Sequence, residues 1–141
     1  MAADPYNTNL AAEFFVLATL HRLGREAFLT LGNKKGVDIV ILTPSRTAVS
    51  LEVKGVADKY DWPANNIHIF DKLHQLYALV CFEGKIKEPT VMPNVWIVPS
   101  TRLHPFVRRY KDRVVISRAA MLKGGKEFLS AWEMIGDSVA G

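Results

Sequence analysis

A single cysteine, Cys81, stands among the 141 residues. No disulfide can form within the chain, which points to a reducing compartment. The setting Ala78-Leu79-Val80-Cys81-Phe82 makes it a buried strand thiol rather than a nucleophile. His68, His74 and His104 show no metal-ligand spacing, and one cysteine cannot complete a zinc site. Long apolar runs are also missing. The longest, Phe14 to Leu20, is interrupted by Thr19 and is too short to span a bilayer. Met1-Ala2-Ala3-Asp4-Pro5 carries neither the basic nor the apolar segment of a leader, so a cytoplasmic protein with no membrane partner is expected. There is no phosphate-cradling glycine motif and no serine-hydrolase elbow. Without internal repeats, low-complexity stretches or linkers, residues 1–141 are expected to form one domain.

What is present is ordinary in bulk and unusual in detail. Hydrophobic residues make up 49% and charged residues 23%, as in a globular core-forming chain. The net charge of +4 suits a polyanionic partner without requiring one. The detail lies in two segments that read as neighbouring half-buried strands. Asp38 sits in Gly36-Val37-Asp38-Ile39-Val40-Ile41-Leu42, and Glu52 and Lys54 sit in Val49-Ser50-Leu51-Glu52-Val53-Lys54-Gly55. Charged groups avoid such positions unless they are paired or hold a metal.

Pro44-Ser45-Arg46 reads as a tight loop between the two segments. With Thr43 opposite Thr47, Leu42 faces Ala48, Val40 faces Ser50, and Asp38 faces Glu52. Side chains alternate along a strand, so Asp38, Glu52 and Lys54 share one face. The other face pairs Val37 with Val53, Ile39 with Leu51 and Ile41 with Val49, and should be core. A one-residue slip would bury the acids among these residues, which specifies the register strongly. Two opposed carboxylates repel. A divalent cation would offset that repulsion, and two carboxylates with a lysine can hold such an ion against a phosphate. A salt-bridge cluster on a solvated strand face is the plainer alternative for the same three residues.

A helix is predicted from about Asn9 to Leu23, capped by Asn7 or Thr8 and ended by Gly24. Leu10, Phe14, Leu17 and His21 form its expected apolar stripe, flanked by Val16, Leu20 and Glu13. Glu13 is either an edge residue reaching water or, beside Asp38 and Glu52, an outer ligand or water-positioning group. Further strands are expected at Glu26–Leu31, Leu76–Phe82, Val95–Val98 and Val114–Ser117, with a polar loop at Gly55–Asn66 and an extended piece at Ile67–Phe70. Ser100 is the expected cap of a short helix. The chain ends in a helix broken at Gly124-Gly125, after which Phe128, Leu129, Trp132 and Ile135 should dock on the body.

The order of helix with Glu13, three-stranded meander, Asp38 on the second strand and Glu52-Val53-Lys54 on the third resembles the PD-(D/E)xK nuclease superfamily. Its members include restriction endonucleases and archaeal Holliday junction resolvases. The small size and the Gly36-Val37-Asp38 form look most like the resolvase-like and uncharacterised branches, and the resemblance spans residues 8 to 98. It implies a restriction-endonuclease-like α/β fold, with a mixed central sheet flanked by helices. It also implies that Asp38, Glu52 and the Val53 carbonyl ligate the cation. Lys54 would stabilise developing charge or orient the attacking water, and Glu13 would match a helix acid that some members use. Val37 stands where the name-giving proline would be. Magnesium is the expected ion, with manganese able to substitute. The implied function is metal-dependent endonucleolytic hydrolysis of nucleic acid, with DNA first in line. A catalytically inactive nucleic-acid-binding or assembly module with the same fold is the alternative.

Candidate substrate contacts are Lys34 and Lys35 ahead of Asp38, Trp62 as a stacking residue, and Arg108, Arg109 and Arg118. Tyr60 and Tyr77 are further possible stackers, although a buried position explains Tyr77 equally well. The stretch from Arg102 to Lys126 holds eight basic residues against Asp112 alone, as a phosphate-binding surface or as a solvated face. A homodimer is expected, since a small one-site nuclease must pair to cut two strands.

Overall fold

The computed structural model of the chain describes residues 4–30, 38–65 and 74–136. Helix α1 spans Pro5–Arg22 and starts earlier than the sequence predicts. Asp4 caps it by accepting the Tyr6 N–H at 2.8 Å, and Pro5 occupies the first turn, where its missing N–H costs nothing. Gly24, at φ +76°, follows the helix end and adopts a conformation most residues avoid. The strands are β1 (Glu26–Leu29), β2 (Ile39–Leu42), β3 (Ala48–Val56), β4 (Trp62–Pro63), β5 (Gln75–Cys81), β6 (Asn94–Pro99), β7 (Val107–Arg109) and β8 (Val114–Ile116). Helix α2 spans Arg118–Gly124 and is capped by the Ser117 hydroxyl.

Five strands form a sheet in the order β1-β2-β3-β5-β6. All neighbours are antiparallel except β3 and β5, which run parallel, so the sheet is mixed. The β2–β3 register pairs Ile39 with Leu51, Val40 with Ser50, Ile41 with Val49 and Leu42 with Ala48, as the apolar pattern requires. Thr43 N–H reaches the Thr47 carbonyl at 3.0 Å across the Pro44-Ser45-Arg46 loop. Ile39, Ile41, Val49 and Leu51 have no exposed surface, and each such burial stabilises the fold by about 1.5–3 kcal/mol. All seven residues of β5 are buried, which is why its sequence is a continuous apolar run rather than an alternating one.

Each face of the sheet carries its own core. On one, Val49, Leu51, Val53, Leu76, Ala78 and Val80 pack against Ala12, Val16 and Leu20 of α1. The buried stripe is rotated from the expected one: Leu17 packs only in part, and the flanking Val16 and Leu20 lie at its centre. Phe14 is 52% exposed and His21 is exposed, while Thr8, Ala12, Val16 and Leu20 face the sheet. The reason is close approach. A Cβ placed on Gly55 would lie 2.6 Å from the Ala12 Cβ and 3.3 Å from the Thr8 carbonyl oxygen. The small side of the helix therefore faces inward, where backbone packs against backbone.

The opposite face is covered by a second, three-stranded sheet in the order β4-β8-β7, together with α2 and short 3₁₀ turns at 100–102, 104–106 and 126–128. Helix α2 is one flanking helix of the kind expected there, and short strands and 3₁₀ turns make up the rest of this layer. Ser100 begins the first of these turns and does not cap it. Beyond α2 the chain continues in 3₁₀ turns rather than a second helical piece. Phe128 and Ile135 dock as expected, whereas Leu129 is 44% exposed. Residues Gly55 and Val56 of the predicted loop extend β3, Trp62 and Pro63 form β4 within it, and β7 lies where the sequence predicts no strand. The predicted piece at 67–70 and the turn at 32–36 lie outside the described residues. Among the described residues, no helix is long and apolar enough to cross a membrane.

Candidate active site

The site lies where β2 and β3 part. Asp38 sits one residue before β2 and is held from both sides. Its N–H donates to the Leu51 carbonyl at 3.0 Å, and its carbonyl accepts from the Thr30 N–H at 2.9 Å. Its carboxylate then takes the place of a backbone acceptor, with Oδ2 receiving the Val53 N–H at 2.7 Å. The N–H and C=O of a residue in an extended strand point to the same edge, so the Val53 carbonyl also faces the Asp38 side.

Glu52 and Lys54 share the face of β3 opposite the α1 core, as alternation demands. Lys54 Nζ lies 2.6 Å from Glu52 Oε2, with only 14% and 13% of the two side chains exposed. Across the parallel pairing, Glu52 is in register with Tyr77 and Lys54 with Leu79. The Tyr77 hydroxyl is pushed up to about 12, first by burial and then by the charge of Glu52, with a hydrogen bond to the Ser100 side chain opposing. Tyr77 is thus a buried neighbour of Glu52, not a stacking residue.

Charge crowds this corner. Burial raises the Asp38 carboxyl above its ordinary range; the Val53 N–H bond lowers it, the Glu52 charge raises it, and Lys54 lowers it. Glu13, half-buried on α1, is raised by burial and then by the charge of Asp38. Asp38 therefore links the other two acids, feeling the charge of Glu52 and imposing its own on Glu13. The close packing of Ala12 on Gly55 sets the depth of α1 and with it the reach of Glu13.

The donors suit a hard divalent cation. Asp38 keeps one carboxylate oxygen beyond its Val53 bond, Glu52 keeps the oxygen not bound to Lys54, and the Val53 carbonyl faces the same edge. Among the described residues, no group of three or more His, Cys, Asp or Glu side chains is disposed to hold a metal, so a site here needs the carbonyl and water or phosphate oxygens as well. Magnesium, which retains several waters, accepts such a sparse set.

The predicted substrate contacts fare differently. Lys34 and Lys35 lie outside the described residues. Trp62 is fully buried, donates its indole N–H to the Val80 carbonyl at 3.0 Å, and packs edge-on against Trp96 with centroids 5.6 Å apart. It cannot stack on a base, and its place in the second core explains an aromatic there. Arg118 is turned inward, with Nη2 2.6 Å from Glu83 Oε1 and its backbone N–H on Asp61. That pair ties α2 to the end of β5 and takes Arg118 out of the exposed basic surface. Arg108 and Arg109 are exposed on β7. Cys81 is buried, donates to the Asp58 carbonyl, and has its thiol pushed up to about 11, chiefly by burial, as suits a structural thiol.

With this geometry the fold can be compared with known ones. It is an architecture that an endonuclease also uses. The structure in question is that of I-Ssp6803I, a bacterial homing endonuclease, which matches with a TM-score of 0.60 at 13% identity over 99% of this chain and 96% of that one. No protein-family model matches this sequence, and no curated protein does.

Proposed function

We propose that the chain is a metal-dependent endonuclease of the PD-(D/E)xK kind, hydrolysing phosphodiester bonds of DNA. One observation carries the reading: Asp38 closes the β2–β3 ladder with its own carboxylate on the Val53 N–H, near enough to Glu52 and Lys54 to feel both charges. A merely solvated strand face has no need to seat a carboxylate at a raised pKa beside two others. The endonuclease that shares the fold adds support, as does the net charge of +4.

In this reading Asp38, Glu52 and the Val53 carbonyl would hold Mg²⁺, or Mn²⁺ in its place. A bound ion of this kind supplies polarisation of a phosphoryl oxygen and a more acidic water. Lys54, steered by Glu52, sets its ammonium where the phosphoryl oxygens gain negative charge. Glu13, more readily protonated than an ordinary carboxylate, orients water or accepts its proton. The polar groups are fixed before substrate arrives, which spares reorganisation during reaction. Two copies would cut two strands, so a homodimer is the proposed working unit.

The closed Glu52–Lys54 pair favours a second reading, in which the cluster is structural and the chain binds nucleic acid or a partner without cutting. Cleavage of labelled duplex, single-stranded and four-way-junction DNA and of RNA, with Mg²⁺, Mn²⁺ or EDTA, separates the two. Metal-dependent cutting that vanishes in Lys54→Ala supports the nuclease. Salt-sensitive binding without cutting supports the second reading.

A further inference from the structure

A groove of about 740 Å³ opens on the covering layer of the sheet, between the 3₁₀ turns at 100–102 and 104–106, helix α2 and the turn at 126–128. A water's share of liquid volume is about 30 Å³, so the space suits a stretch of polymer rather than a lone ion. Three cations line it, Arg102, Arg108 and Lys123, against one acid, Glu127. Two of those cations are held in place. Arg102 lies over the Phe128 ring, 4.8 Å from its centroid, with Nη2 2.6 Å from Glu127 Oε1. Arg108 Nη1 bonds the carbonyls of Pro105 at 2.8 Å and Val107 at 3.1 Å, which leaves other guanidinium donors for a ligand. Fixing these side chains beforehand reduces the entropy lost on binding an anion. The edge-to-face pair Phe106–Phe128, at 6.0 Å, forms a rigid floor.

A chain of contacts leads from Glu52 toward the groove wall. Glu52 is in register with Tyr77, Tyr77 hydrogen-bonds Ser100, and Ser100 opens the turn that carries Thr101 and Arg102 to the groove wall.

We propose that this groove holds the phosphate backbone of the nucleic acid outside the scissile bond, with Arg102, Arg108 and Lys123 as its phosphate contacts and Glu127 as a brake on affinity. The proposal rests on the nuclease reading above. Each phosphate neutralised contributes about 0.9 to the slope of log affinity against log salt.

The test uses the full chain as Asp38→Asn, to suppress cleavage, and labelled duplex DNA over a salt series. Adding Arg108→Gln and Lys123→Gln should weaken binding and flatten the slope by about 2. Adding Glu127→Gln should tighten binding and steepen the slope. Lys87→Gln, on an exposed loop elsewhere, should change neither. Thermal melts confirm that each variant folds. DNA binding with an unchanged slope in the double substitution overturns the groove and leaves the nuclease reading intact. A parent chain that binds no nucleic acid overturns both. Polyglutamate bound in place of DNA, and lost in the double substitution, would overturn the proposal in favour of an acidic protein partner.

Discussion

The two ends of the β2–β3 pair are built from the same backbone and do opposite things with polar groups. At the hairpin end, Thr43 is buried and fully served. Its hydroxyl accepts the Thr47 N–H at 3.1 Å, reaches the Thr47 carbonyl at 3.2 Å and exchanges a hydrogen bond with Ser45 at 2.9 Å. Neutral groups close the ladder and no charge is stranded. At the other end a carboxylate closes it, within reach of the charge of a second acid on β3, and its own charge is felt by a third on α1. The hairpin end is built for stability alone. The open end keeps an electrostatic cost that the hairpin end does not carry.

The largest effect should come from removing the charge that defines the open end. Asp38→Asn keeps an acceptor for the Val53 N–H, so the fold survives, while single-turnover cleavage falls by about a thousandfold or more. Wild-type rates in this variant would erase the distinction between the two ends. Lys54→Ala should cost about a hundredfold or more in rate. It should also cost stability, by about 3 kcal/mol, because it strands Glu52 in a largely buried position. Urea titration separates that loss from the catalytic one.

The pH dependence sharpens the same comparison. Asp38 and Glu13 have folded pKa values raised above their ordinary 3.8 and 4.5. Their contribution to stability is therefore full below those values and lost as pH rises through the raised folded ones. Without metal, Asp38→Asn should gain melting temperature relative to wild type as pH climbs out of the acid range. Adding Mg²⁺ should reverse the order, since only wild type keeps the full site. An order that ignores both pH and Mg²⁺ would reduce the cluster to a structural one.

Smaller effects should follow from changes beside either end. Gly55→Ala forces its Cβ against Ala12, lifting α1 at a cost of about 1–3 kcal/mol and moving Glu13, so stability and rate should fall together. Thr43→Val, at the hairpin end, should cost about 1 kcal/mol and leave the rate per folded molecule unchanged. A rate loss in Thr43→Val would show that the two ends are coupled.

Sequence alone determined the β2–β3 register over Ile39 to Leu42, the loop that joins the strands, and the placing of Glu52 and Lys54 on one face of β3. It did so because strand periodicity is strict and any slip would bury charge in an apolar core. The buried character of Cys81 and the end of α1 at Gly24 were legible for similarly local reasons. Tertiary structure decided the rest. Which side of α1 faces inward depends on Gly55, more than thirty positions away in the chain, and not on which stripe of the helix is more apolar. The parallel pairing of β3 with β5 sets Tyr77 beside Glu52, and no local pattern encodes it. The burial of Trp62, the turning of Arg118 onto Glu83 and the gathering of Arg102, Arg108 and Lys123 around one groove follow from how the second sheet and α2 cover the first. Periodicity tells which residues share a face; only packing tells what that face meets.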